Sequence, residues 1–268
     1  MKKKIIITGG LGYIGTELCK IYSGVSWNNE IIVIDHRFIS ERVNQLRNWN
    51  IEFVQGDILN KELINKYCKD ADVVHHLAGV TSVPRTKSDS DHKIDEKIKK
   101  VAEEGTQNIL DAISTKCKII FPSTHVVYEG IEKVKNNITE NEDVKPVLSY
   151  STSKALNEKQ LKKSGKNYII LRLGSVYGYS TDTSRIDIMP NLFSKIASQD
   201  GEIKLFAGGR QLKSLVPLVD VARCFKTMEE REDISSEIFN LTKDTLTVKE
   251  VAEICKKYNP KINLKETN

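Results

Sequence analysis

No apolar run in this 268-residue chain approaches the ~20 residues that a membrane-crossing helix needs, so no span is expected. The opening "MKKKIIITGG" has a basic head but only three isoleucines before its glycines, too short for a secretory leader. Five cysteines (Cys19, Cys68, Cys117, Cys224 and Cys255) stand far apart, and no C-x-x-C occurs. That pattern predicts reduced thiols, no metal site and a cytoplasmic location. Low-complexity tracts and internal repeats are also missing, which leaves the composition of an ordinary globular protein. Basic clusters are confined to "KKK" at 2–4, "KIKK" at 97–100 and a few lysine pairs. Lysines scattered among acids read as a solvated surface, and no nucleic-acid partner is expected. The net charge of +5 still suits an anionic small substrate.

What is present is alternation. Short β-branched runs, "IIIT" (5–8), "EIIVID" (30–35), "IEFVQGD" (51–57), "DVVHHLAG" (72–79), "KIIFPST" (118–124) and "YIILRLG" (168–174), are separated by amphipathic stretches. Among the latter are "YIGTELCKIY", "NKELINKYC" and "IKKVAEEGTQNILDAI", each read as a helix. Continuously apolar strands belong to a parallel sheet covered on both faces. Strand–helix alternation of this kind predicts a doubly wound, Rossmann-type α/β fold. After Gly178 the rhythm changes: "YSTDTSRIDIMP" is polar and turn-rich, followed by a helix near 190–199 and a strand at "IKLF". We therefore expect a dinucleotide-binding domain over 1–178. Residues 179–268 should form mainly a substrate lobe, with elements returning to the main sheet. Thr247 and Glu250 fit a capping box before "VAEICKKY". The last residues, "INLKETN", read as the edge of a strand, which suggests an incomplete C-terminus.

Residues 7–18, "ITGGLGYIGTEL", follow a strand and open a helix. In that context Gly9 allows a tight turn, Gly12 lets backbone N–H groups approach a pyrophosphate, and Gly15 permits close helix–sheet packing. Asp35 ends the second strand, about 20 residues after Gly15, where a carboxylate can accept from a ribose diol. It favours NAD as the cofactor. Arg37, two residues on, could meet a 2′-phosphate and keeps NADP open. Asp57 of "GDI" falls at the end of the third strand, near an adenine edge, although an acid there also suits a plain turn.

"YSTSK" (150–154) puts Tyr150 and Lys154 on one face of a helix. One such pair arises roughly by chance in a chain this rich in lysine, so its weight comes from context.

That context resembles the extended short-chain dehydrogenase/reductase family, in its nucleotide-sugar epimerase and dehydratase group. In order, "TGGLGYIG", "IDHR", "GDI", "HHLAG", "GTQNIL", "PSTHVVY", "YSTSK", "LRLGSVYG" and "LVPLVDVA" match it, from about residue 4 to 260. The resemblance implies an enzyme with NAD across the strand ends, a nucleotide-sugar substrate in the smaller lobe, and a homodimer. It carries Tyr13, Ile14, His36, Arg37, Asp57, Ile58, Leu77, Ala78 and Gly79 to the coenzyme. Thr124, Tyr150 and Lys154 become the catalytic set, with the lysine lowering the pKa of the phenol and holding the nicotinamide ribose. Several positions depart from the family pattern. His125 and Val126 stand where dehydratases carry an Asp–Glu pair, which argues against dehydration. Ala102 stands where an asparagine is usual, Ser175 replaces a substrate-binding asparagine, and Lys213 replaces a diphosphate-binding arginine. Arg185 is a further candidate for the phosphates or sugar. His125 fits a substrate contact or a structural histidine equally, and His75 and His76 read as packing histidines.

These residues predict epimerisation through transient oxidation at a ring carbon, C4 by resemblance, with Tyr150 as acid and base. A net 4-dehydrogenase or 4-keto-reductase needs the same three side chains and stays open. A dinucleotide-sensing regulator would need the glycine loop but gains nothing from the Thr–Tyr–Lys set.

Overall fold

The β-branched runs form β1 (Lys3–Thr8), β2 (Asn29–Asp35), β3 (Glu52–Gln55), β4 (Val73–His76), β5 (Lys118–Thr124) and β6 (Asn167–Leu173) of a computed structural model. It describes residues 2–81, 91–182 and 185–267; Thr183 and Ser184 of the turn-rich stretch, and the terminal Asn268, lie outside them. Six further strands follow: β7 (Ser175–Tyr177), β8 (Glu202–Phe206), β9 (Leu212–Pro217), β10 (Glu237–Leu241), β11 (Asp244–Thr247) and β12 (Asn263–Thr267). The main sheet is parallel throughout, in the order β10-β6-β5-β4-β1-β2-β3.

Nine helices are described. They are α1 (Tyr13–Tyr22), α2 (Ser40–Asn48), α3 (Lys61–Cys68), α4 (His92–Lys100), α5 (Thr106–Ala112), α6 (Ser149–Lys163), α7 (Met189–Ser198), α8 (Leu218–Glu230) and α9 (Val248–Tyr258). Ile5, Ile6 and Ile7 are all 0% exposed, which only a sheet covered on both faces allows. Ile5 and Ile7 join one core with Leu18 and Tyr22 of α1 and Phe225 of α8. Ile6 faces the other core, with Ile64 of α3, Ile109 of α5 and Leu161 of α6. Strand pleating sorts neighbouring isoleucines to opposite layers, each buried side chain contributing about 1.5–3 kcal/mol.

The C-terminal third divides itself. Phe193 of α7, Ile203 and Leu205 of β8, Leu215 of β9 and Val251 and Ala252 of α9 form a separate small core. α8 and β10 instead return to the main layer, β10 pairing with β6 from Glu237↔Ile169 to Leu241↔Leu173. Thr247 caps α9 reciprocally with Glu250, Oγ1 accepting from Glu250 N at 3.1 Å. β12 pairs in parallel with β8.

The stretch "IKKVAEEGTQNILDAI" is not one regular helix. A π-turn over Val101–Gly105 joins α4 to α5. Its carbonyls accept from α6 side chains: Asn157 Nδ2 donates to Ala102 O at 2.8 Å and Gln160 Nε2 to Glu103 O at 3.0 Å. Periodicity cannot register one inserted residue whose backbone is satisfied from another helix.

α6 is fastened to the sheet by buried charge. Arg172 of β6 donates to both oxygens of Glu158, Nε at 3.0 Å and Nη2 at 2.7 Å, and both residues are 3% exposed. Ser123 Oγ donates to the same carboxylate at 2.5 Å, and Arg172 also donates to the Tyr128 hydroxyl. Glu158→Ala would leave a guanidinium buried without its carboxylate. The variant should lose about 3–5 kcal/mol, read as a lower urea midpoint at unchanged slope.

Candidate active site

The chain winds from β1 to β2 and β3 on one side, then crosses to β4, β5 and β6 on the other. Loops at the strand ends therefore diverge between β1 and β4 and leave a crevice. A cleft of about 700 Å³ opens there. It is lined by Gly9, Gly12, Tyr13, Ile14, Gly15, Asp35, His36, Arg37, Asp57, Ile58, Leu77, Ala78 and Gly79. Thr124, His125, Tyr150, Lys154, Ser175, Arg185 and Lys213 complete the same wall. Every residue singled out from the sequence as a site residue thus borders one cavity.

The glycine loop is shaped as a cradle. Gly9 has φ +71°, its N–H donates to Ile34 O at 2.7 Å, and a β carbon there would stand 2.8 Å from the Ala78 backbone. At Gly15 a β carbon would stand 2.5 Å from Gly9 O. Gly12 begins α1 with no side-chain cap, so the first N–H groups of the helix have no intrahelical or capping partner. Such an end binds anions, and the donor set fits a dinucleotide's pyrophosphate.

Asp35, 4% exposed, does more than end a strand. Its Oδ2 accepts from Leu11 N and its Oδ1 from Arg37 N, each at 3.0 Å, which ties the glycine loop to β2. Asp57 Oδ1 accepts from Leu59 N at 2.9 Å and so builds its own turn at the cleft edge. His76 borders no part of the cleft. Its ring links Thr8 Oγ1 and Thr106 Oγ1, each at 3.0 Å, and burial pushes its pKa down to about 3, with Lys154 adding to the effect. His75 lies on the opposite face against Tyr22 (2.6 Å) and is likewise pushed down to about 3 by burial.

At the other end of the cleft, Thr124 closes β5 and its Oγ1 accepts from Val126 N at 3.3 Å. Tyr150 and Lys154 come from the first turns of α6. The ammonium donates to Pro122 O at 2.7 Å and sits 4.4 Å from the Phe121 ring centroid and 5.9 Å from that of Tyr150. The expected lowering of the phenol by Lys154 is not the dominant effect. Burial pushes the Tyr150 phenol up, and the cation that opposes this is Arg185. His125 Nδ1 donates to Leu173 O at 2.9 Å, and burial lowers the pKa of its ring. Ser175 lies on β7 and Lys213 on β9.

Spacing gave no sign of the contacts that the segment after β7 makes with the glycine loop and its neighbours. The Tyr13 hydroxyl donates to Gly178 O at 2.5 Å, and Asn191 Nδ2 donates to that hydroxyl at 3.2 Å. Arg185 Nη1 donates to Thr81 O at 3.1 Å, and Asp182 reaches Arg37 and Arg42. These contacts join residues more than a hundred positions apart, so no local pattern could have announced them.

Burial pushes the Lys154 ammonium down to about 7, with the Glu158 carboxylate opposing the shift. Unfolding returns the group to about 10.4. Between about pH 7 and pH 10 the unfolded chain therefore holds a proton that the folded chain lacks, and stability from this group rises with pH. Lys154→Met should flatten that rise and stabilise the protein relative to wild type at about pH 6. Urea unfolding at about pH 6 and pH 9 measures both effects.

The profile of the NAD dependent epimerase/dehydratase family matches residues 5–242. A UDP-N-acetyl-alpha-D-glucosaminuronate decarboxylase of Bacillus cytotoxicus is 28% identical over 267 residues, covering 94% of this chain and 79% of that protein. A dTDP-D-glucose 4,6-dehydratase of Dictyostelium discoideum is 27% identical, covering 90% of this chain and 58% of its own. Among solved structures, a mutant UDP-glucuronic acid 4-epimerase of Bacillus cereus, in complex with UDP-4-deoxy-4-fluoro-glucuronic acid and NAD, superposes with a TM-score of 0.84. It is 25% identical, over 98% of this chain and 85% of that one. With a family match across most of its length, the two-winged parallel sheet and the glycine cradle, this chain belongs to the NAD dependent epimerase/dehydratase family.

Proposed function

We propose that this protein is a nucleotide-sugar epimerase that oxidises its substrate transiently at a ring carbon, C4, and reduces it again from the other face. The observation that carries this reading is the meeting of Thr124, Tyr150 and Lys154 at one end of a cleft whose other end is the glycine cradle. Gly9, Gly12, Tyr13, Ile14 and Asp35 would hold NAD, with Leu77, Ala78 and Gly79 along its length. When bound, the coenzyme supplies hydride acceptance and return. Tyr150 takes the proton of the sugar hydroxyl during oxidation and gives it back during reduction. Arg185 favours the charged phenolate in this exchange, and Thr124 hydrogen-bonds the reacting oxygen. Lys154, whose pKa lies near neutrality, can serve as cation or proton donor at the ribose.

The smaller lobe, on this reading, carries the sugar nucleotide, with residues 1–178 carrying the coenzyme. Lys213, Arg185, Ser175 and His125 face the substrate, the two cations toward the diphosphate. No carboxylate follows Thr124: His125 and Val126 occupy those positions, so the Asp–Glu pair that would move a proton and expel water is missing there. Epimerisation is favoured over dehydration for that reason.

Tyr150→Phe should fold and bind both ligands as wild type does, while turnover falls by about 10²–10⁴-fold. Progress curves with UDP-linked hexoses and uronic acids, followed by chromatography of both epimers, measure this; near-normal turnover would end the mechanism. Net release of NADH in the same assay would identify a dehydrogenase instead. Lys213→Ala should raise KM for the sugar nucleotide more than about tenfold, since a hydrogen bond to a charged group is worth about 1.5–3 kcal/mol. NAD affinity should stay unchanged, as calorimetry can show.

A further inference from the structure

A carboxylate at the end of β2 selects the ribose hydroxyl of NAD, whereas an arginine nearby can accommodate the 2′-phosphate of NADP. This chain has both, Asp35 and Arg37, so those two residues alone do not decide the coenzyme. The Arg37 guanidinium lies over the glycine cradle: a β carbon on Gly12 would stand 3.6 Å from Nη2. Its Nε is 3.4 Å from Asp35 Oδ1. Its Nη1 is 3.9 Å from Oδ2 of Asp182, a 4%-exposed residue from the segment after β7 that also lines the cleft. Oδ1 of Asp182 is in turn 3.3 Å from Arg42 Nη2. Arg42 donates to Leu11 O in the glycine loop and, at 3.2 Å, to Thr181 O. His36 Nδ1 lies 3.6 Å from Asp35 Oδ1, and Cys19 and Tyr13 are further titratable neighbours, of Asp35 and Asp182 respectively.

We propose that Asp182 is a coenzyme-specificity residue. It occupies the Arg37 and Arg42 guanidinium groups and, together with Asp35, offsets the positive charge that they would otherwise offer a 2′-phosphate. Two carboxylates against two guanidinium groups sum to zero, and a phosphate carrying about −1.5 to −2 charges would meet two acids at close range. Arg37 is therefore present but spent. Selection against NADP is shared between the β2 end and a residue of the C-terminal region, and the same ion pairs hold that region over the glycine loop.

The inference rests on the NAD-binding reading of the cleft and is tested by binding, with no sugar nucleotide present. Dissociation constants for NAD and NADP are measured by calorimetry on the full chain stripped of coenzyme. Wild type should prefer NAD. Asp182→Asn, which keeps the shape and removes the charge, should strengthen NADP binding relative to NAD by about tenfold or more, the worth of one freed charged contact to phosphate. Adding Arg37→Gln should remove that gain. An unchanged NADP-to-NAD ratio in Asp182→Asn, or a gain that survives in the double variant, would overturn the assignment while leaving NAD binding intact. Should Asp182→Asn fail to fold, Arg37→Gln alone decides. It should change NADP affinity by no more than about twofold, because its charge is already taken, whereas a tenfold loss would overturn the proposal. A wild-type protein that binds neither dinucleotide would remove the inference together with the coenzyme reading of the cleft.

Discussion

The constraint on which the cleft depends is the approach of Gly9 to the backbone of Ala78, where no β carbon fits. It brings the end of β1 against the end of β4 at the point where the sheet reverses its winding. Were the loop any bulkier, the two strand ends would separate and the first turn of α1 would lose its aim across the crevice. Gly15, packed against Gly9 O, transmits the same constraint to the helix. Asp35 then fixes the loop laterally through Leu11 N. A left-handed turn, a bare helix end and one buried carboxylate together make a cradle for anions from ordinary backbone.

A buried polar chain runs under the cleft from this cradle to the helix that carries Tyr150 and Lys154. Thr8 Oγ1 accepts from Ala78 N at 3.2 Å and meets His76, which meets Thr106 Oγ1, which accepts from Asn157 Nδ2 at 3.0 Å. The next residue of α6, Glu158, holds Arg172 and Ser123. The two anchors come from adjacent residues of one helix, Asn157 bonding Thr106 of α5 and Glu158 bonding β5 and β6, which fixes the rotation of α6. Buried networks of this kind are costly when a member is missing, so they specify one arrangement. Both neighbouring site groups pay for their position electrostatically: burial disfavours the charged form of Tyr150 and of Lys154 alike. The phenol is raised and the ammonium lowered to about 7, so the two acidities stand further apart than in water and the lysine is the group poised near neutral pH.

Much of this was legible in residue order because it is local. Period-two and continuous apolar runs produced the strands, three spaced glycines the loop, and a four-residue interval the shared face of Tyr150 and Lys154. The capping box at Thr247 and Glu250 was equally local. The helix through Val101–Gly105 failed to follow its periodicity because its freed carbonyls are satisfied from α6, a partner absent from the local pattern.

By itself the sequence determined a parallel doubly wound sheet, a dinucleotide-type cradle and a Tyr–Lys pair, since each depends on spacings of a few residues. It could not determine the state of Arg37, which reads the same whether free or paired. Folding decided that, by carrying Asp182 across the sheet to Arg37 and Arg42. Only folding set Asn191 against Tyr13, turned His76 into a core link, and placed Arg185 close enough to Tyr150 to bias its proton. Charge and burial act through space, whereas a sequence records neighbours along a line.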